Sequence, residues 1–173
     1  MSDAADVSPS SGATPQATAA QERIFLCVVD STAELRCALR FACRRAQKTG
    51  GRVALLYVME PADFQHWIAV EEKWRAERRE EAEQTLNRLA AEVNELTGTT
   101  PVLYLREGKP GDAILKLIEE EPTISILVLG AGTGKKGPGP LVSSLAGKMS
   151  GKFPIPITVV PGNLTLEQID ALT

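Results

Sequence analysis

One histidine in 173 residues, His66, is what this sequence offers for imidazole chemistry. Nucleophilic catalysis of the Ser-His-Asp or Cys-His kind needs an imidazole beside its nucleophile, and His66 falls at the start of a long helical pattern, remote from the strand ends where hydroxyls gather. It reads as a surface residue, and no catalytic residue is assigned. Cysteine is nearly as scarce: Cys27, Cys37 and Cys43 are odd in number and contain no Cys-x-x-Cys pair, so neither a disulfide framework nor a metal-ligand spacing is present. Cys37 and Cys43 lie six apart on a predicted helix, about 240° around its axis, which points to buried free thiols in a reducing cytoplasm. Basic residues are not in excess. With 19 Lys and Arg against 22 Asp and Glu and a pI near 5.3, the chain has no electrostatic footprint for nucleic acid. No apolar run approaches the roughly 18 residues of a membrane span, which argues against a membrane partner. Residues 1–21 lack large apolar side chains, so ordering them would not offset the entropy lost, and a disordered N-terminal tail is expected. That tail has neither the basic start nor the apolar centre of a signal peptide.

What is there is core. At 43% hydrophobic the chain can bury one domain's interior. Arg23 to Asp30 is a continuous apolar run ending in a carboxylate, the pattern of a parallel strand covered on both faces. Ser31-Thr32-Ala33-Glu34 then has capping-box spacing, and Leu35, Ala38, Leu39, Ala42 and Ala46 recur at helical intervals until Gly50 and Gly51. A second strand is predicted over residues 53–58. Residues 63–97 read as one long helix whose first turns, with Trp67 and Trp74, project beyond the sheet or kink. The charge run over residues 71–83 reads as a solvated face. Strand 3 is predicted over 102–106, a third helix up to Pro122, strand 4 over 124–129, a short helix over about 144–150, and strand 5 over 155–160. Pro156 lacks an amide hydrogen, which places strand 5 at an edge or Pro156 at its start. Leu164, Thr165, Gln168 and Ile169 then form a staple and capping box in register, for a short helix in a C-terminal tail over 163–173. Strands alternating with helices give an α/β fold: a mostly parallel sheet with helices on both faces.

In such a sheet, ligands sit beyond the carboxyl ends of the strands, where the winding reverses. The loops after strands 1 and 4 carry Asp30-Ser31-Thr32 and Gly130-Ala131-Gly132-Thr133-Gly134-Lys135-Lys136. A carboxylate beside an amide-lined loop suits the ribose and phosphates of a nucleotide. The loop is no Walker A motif, since three residues rather than four separate Gly130 from Gly134-Lys135, and a dinucleotide fingerprint would follow the first strand. A glycine-rich surface turn without a ligand remains the alternative on these residues alone.

The span 22–162 resembles the universal stress protein family. The resemblance lies in the first strand ending in Asp30, the second running into Leu56-Tyr57-Val58-Met59-Glu60, the segment Arg106-Glu107-Gly108-Lys109-Pro110-Gly111-Asp112, a fourth strand ending at Gly130, and a closing Pro156-Ile157-Thr158-Val159-Val160. It implies a three-layer, doubly wound sheet of five parallel strands in the order 3-2-1-4-5, of the adenine nucleotide alpha hydrolase-like type. It also implies a stress-response sensor or regulator that binds ATP or AMP, with or without Mg2+, and hydrolyses ATP slowly at most. Residue by residue, Val28, Val29, Asp30 and Val58 would meet ribose and adenine. Leu129, Gly130 and Leu145 would line the site, and Gly132, Thr133, Gly134, Ser143 and Ser144 would hold phosphates, with Ser144 at a helix N-terminus. The family pattern has glycine where Thr133 and Ser143 stand. That departure keeps open a second implied reading, a dimeric interaction module of the same fold without nucleotide. Homodimerisation through strand 5, from Ile155 to Val160, is implied in either case.

Overall fold

In the computed structural model, residues 22–61 and 68–173 are described. The calls made on residues 1–21, on His66 and on Trp67 fall outside them. Five strands, β1 (Ile24–Val29), β2 (Arg52–Met59), β3 (Val102–Glu107), β4 (Ile124–Ala131) and β5 (Ile157–Pro161), form one parallel sheet in the order β3-β2-β1-β4-β5. The expected order 3-2-1-4-5 is thus observed.

The apolar runs lack alternation because both sheet faces are covered. Phe25, Cys27 and Val29 of β1 point to one side with Val53 and Leu55, against α1 (Leu35–Thr49) and α2 (Ile68–Thr97). Leu26 and Val28 point to the other with Leu56, Leu127 and Leu129, against α3 (Pro110–Glu120) and the chain around Val142 and Leu145. Alanines and cysteines on α1 (Ala38, Ala42, Cys43, Ala46) are almost fully buried and let that helix lie close on the strands. Burial pushes the Cys43 thiol up to about 12 and raises that of Cys27 as well, so both stay protonated and unreactive at neutral pH.

The long α2 is one continuous helix. Within its residues 71–97 the buried ones start at Ala82 and continue through Leu86, Leu89 and Val93. Residues 71–81 contain none that is buried. That outer half is tied to the strand ends by polar contacts instead: Arg75 pairs with Glu107 at 2.9 Å, and Arg78 donates to the Glu60 carbonyl at 2.9 Å while stacking on Trp74. The charge run is a solvated face, with exposed i,i+4 pairs Lys73–Glu77 and Arg79–Glu83 that contribute about 0.3–0.5 kcal/mol each.

β5 is an edge strand and begins just after Pro156, whose carbonyl accepts from Leu127 N–H. The chain then turns back over α1. Helix α5 (Leu166–Leu172), the fifth helix in chain order, carries the capping box read from the sequence: Gln168 N–H donates to Thr165 Oγ1 at 3.2 Å and Thr165 N–H to Gln168 Oε1 at 2.9 Å. Ile169 is fully buried, and Asp170 accepts from the guanidiniums of Arg40 and Arg44, the second at 2.8 Å. Hydrogen bonds from Arg40 first and Arg44 second hold the Asp170 carboxyl well below the usual carboxylate range.

Candidate functional site

The winding of the sheet reverses between β1 and β4, and in sheets of this kind ligands sit beyond the carboxyl ends of the strands at that point. Register brings the expected residues to one rim. Val29 pairs with Tyr57, which sets Asp30 beside Val58, and Gly130 pairs with Val160 across the other side. Asp30 is held by its own turn, its Oδ1 accepting from Thr32 N–H at 3.0 Å and from Thr32 Oγ1 at 2.7 Å.

The apolar residues assigned to the site mostly belong to the core. Val28, Val29 and Leu129 are buried and Leu145 is fully so, and their side chains belong to the two core layers, Val29 on the α1 side and the others on the α3 side. Val58 is only half-buried and packs over the α3 side of the sheet.

The glycine loop is closed on itself. Gly132 N–H donates to the Pro138 carbonyl at 3.2 Å and Gly137 N–H to Gly134 at 3.0 Å, so Lys135 and Lys136 stand on an exposed turn. Thr133 is exposed, and a side chain at Gly134 would meet open space. Close approach occurs instead at Gly130 and Gly132. A Cβ on Gly130 would stand 2.6 Å from the Glu34 carbonyl oxygen, and one on Gly132 2.7 Å from the Gly137 carbonyl oxygen.

Two expectations need correction. The short helix does not begin at Ser144. It starts at Pro140 as α4 (Pro140–Val142) and continues as a π-helical turn over Ser143–Lys148. Ser143 N–H and Oγ both go to the Gly139 carbonyl, at 3.0 and 2.8 Å, and Ser144 Oγ makes only a long 3.7 Å contact to Met149 Sδ. The missed signal was Pro140 itself, since proline favours the first helical position and its absent N–H costs nothing there.

The second correction concerns Glu34. The sequence pattern made Ser31 the cap of α1 and Glu34 its reciprocal partner. The helix instead starts at Leu35, with Glu34 as its N-cap residue and no side-chain capping bond. The Glu34 side chain lies against glycines of the neighbouring strands. Gly130 and Gly162 approach its Cβ so closely that a Cβ on either would stand 3.0 Å away, and one on Gly132 would stand 3.3 Å from Oε1. Sequence reasoning had no short-range cue for this, because residues 34, 130 and 162 meet only through the sheet order. Among the described residues, no three His, Cys, Asp or Glu side chains converge as a metal-ligand set, and no helix is long and apolar enough to cross a membrane.

Five parallel strands ordered 3-2-1-4-5 between helical layers define the adenine nucleotide alpha hydrolase-like fold. The model of the Universal stress protein family matches residues 22–161, and the chain belongs to that family. Solved structures agree on the fold. Universal stress protein UspA from Lactobacillus plantarum superposes with a TM-score of 0.67 at 20% identity, over 82% of this chain and 99% of that one. The universal stress protein from Archaeoglobus fulgidus in complex with dAMP gives 0.55 at 21%, over 80% and 97%. A family member from Arabidopsis thaliana with AMP bound gives 0.55 at 13%, over 80% and 90%. At these identities the likeness speaks for fold alone. Among curated protein sequences none matches this chain.

Proposed function

We propose that this protein binds an adenine nucleotide, ATP or AMP, in the crevice between the ends of β1, β2 and β4, and works as a cytoplasmic stress sensor or regulator. The observation that carries the reading is the meeting of Asp30, Val58 and the Gly130–Gly132 backbone at one rim of the sheet, at the point where it changes winding direction. Asp30 accepts the ribose hydroxyls, Val58 packs on the base, and the loop from Gly130 to Gly134 with Ser143 and Ser144 faces the phosphates. Related folds crystallised with dAMP and AMP support the ligand class. A Mg2+ ion would enter on the nucleotide's own phosphate oxygens.

The working unit is residues 22–162, with residues 1–21 as a tail and residues 163–173 as an appended segment. Pairing of two β5 edges gives the homodimer, since Val159 is an exposed apolar side chain on an edge strand. Val159→Glu should yield monomers by light scattering, and an unchanged mass would overturn that pairing.

The second reading, an interaction module without nucleotide, draws on Ser143, whose amide and hydroxyl are both spent on Gly139. Native mass spectrometry of the purified protein decides between the two, with titration of ATP and AMP into wild type and Asp30→Ala. Co-purifying or titratable nucleotide that is weakened in Asp30→Ala supports the first reading, and no binding at millimolar nucleotide supports the second.

A further inference from the structure

We propose that Glu34 is the specificity-determining residue of this crevice and sets it against polyphosphates, so that adenosine and AMP are preferred over ATP. The inference rests on the adenine-nucleotide reading and narrows its ligand. Gly132 in the loop after β4 and Gly162 after β5 border the side chain of Glu34, and Gly130 at the end of β4 borders its backbone carbonyl and Cβ. Gly162 leaves room for it so tightly that an added Cβ would collide with Glu34 Cγ. The Glu34 carboxylate therefore reaches Gly132, at one side of the cradle that the glycine pattern suggests for phosphate.

Its charge is not neutralised locally. Among the described residues Glu34 makes no ion pair, and neither Lys135 nor Lys136 of the adjoining turn makes one with it. Two of the donors that would compensate a phosphate are engaged as well, Gly132 N–H with Pro138 and Ser143 with Gly139. A ligand entering here meets one fixed negative charge in a half-buried setting, where Coulomb repulsion is several-fold stronger than in bulk water. Each added phosphate increases that repulsion. Adenosine carries no phosphate charge and AMP one phosphate, whereas ATP brings three and must also displace the Glu34 side chain from the glycines.

The test is calorimetric titration of adenosine, AMP and ATP into the full-length protein, with and without Mg2+, for wild type, Glu34→Gln and Glu34→Ala. Glutamine keeps the shape and removes the charge; alanine also opens the cradle, and circular dichroism checks that both variants fold. Wild type should bind adenosine or AMP more tightly than ATP. Glu34→Gln should tighten ATP about tenfold or more and leave adenosine within about twofold, as expected when one unscreened like charge is removed. ATP binding that appears only in the variants also upholds Glu34 as the barrier. An ATP-to-adenosine ratio unchanged in Glu34→Gln overturns the proposal while leaving adenine binding intact. ATP binding that needs Mg2+ and is lost in Glu34→Gln overturns it too, because Glu34 would then hold the cation. If no adenine ligand binds any of the three proteins, the underlying reading falls with it.

Discussion

Two stretches of this chain carry the same helix-start spacing and meet different ends. Thr165 and Gln168 satisfy each other reciprocally at the start of α5, whereas Ser31 and Glu34 do not, and α1 begins at Leu35 without a side-chain cap. The difference lies in what else can reach the second side chain. Gln168 is exposed on a helix that packs on the body through Leu166, Ile169 and Asp170, and its amide oxygen accepts from the Thr165 N–H. Glu34 packs beside Gly130, Gly132 and Gly162, where a Cβ on any of the three would come within 3.3 Å of a Glu34 atom. A local capping signal holds where the tertiary surroundings are indifferent and yields where they offer a competing fit.

The most costly way to probe the Glu34 side of this comparison is to add a side chain at these glycines. Gly130→Ala would press a methyl against the Glu34 backbone carbonyl, which cannot rotate away, and should lose about 1–3 kcal/mol in urea unfolding. Gly162→Ala meets the Glu34 side chain, which can move, and its cost should stay near the low end of that range, about 1 kcal/mol. The decisive comparison is the background. Glu34→Ala should relieve much of the Gly162→Ala penalty and little of the Gly130→Ala penalty. Equal relief of both would mean that the space at Gly162 is not shaped by the side chain.

On the capped side, Thr165→Ala should cost about 1 kcal/mol by the same measurement, the ordinary worth of an N-cap hydroxyl. A smaller loss would mean that α5 is held by Ile169 and Asp170 alone. Asp170 then sharpens the point through pH. Its folded-state pKa is depressed by Arg40 and Arg44, so the stability it contributes is complete above the unfolded value of about 3.9 and is lost as pH falls from there toward the folded value. Wild type should therefore lose urea stability in that acid window more steeply than Asp170→Asn, whereas at neutral pH the variant is the less stable. Because this pair is partly exposed, the neutral-pH difference should be modest and shrink in high salt.

Legibility in the sequence follows the same line between local and distant causes. The five strands could be read because a strand covered on both faces must be apolar throughout, as Phe25 to Val29 and Leu127 to Leu129 are. Pro156 left an edge or a strand start open, and β5 begins just after it on the edge of the sheet; the half-solvated α2 could be read from its charge run over residues 71–83. Asp30, Val58 and Gly130 were placed on one rim because strand order and strand ends are properties of the whole pattern. The start of α4 at Pro140 is equally local, since proline suits the first helical position. Glu34 was not legible, because its contacts join residues nearly a hundred or more positions apart, and a glycine spared for a phosphate looks the same in sequence as one spared for a side chain.

The smallest expected effect is the most pointed. If Glu34 is committed to the glycines and Ser31 caps nothing, Ser31→Ala removes an exposed hydroxyl with no recorded hydrogen bond, at a position outside the helix. Its change in unfolding free energy should stay within about 0.5 kcal/mol, as for surface substitutions generally. The chemically identical change at the other site, from hydroxyl to methyl at Thr165, should exceed it at least twofold, given about 1 kcal/mol for a made cap. Two equal losses would mean that Ser31 caps α1 in solution after all and that Glu34 leaves the glycines to partner it. Unequal losses show that Ser31 makes no cap, which leaves the Glu34 side chain to its glycine contacts, independently of any ligand.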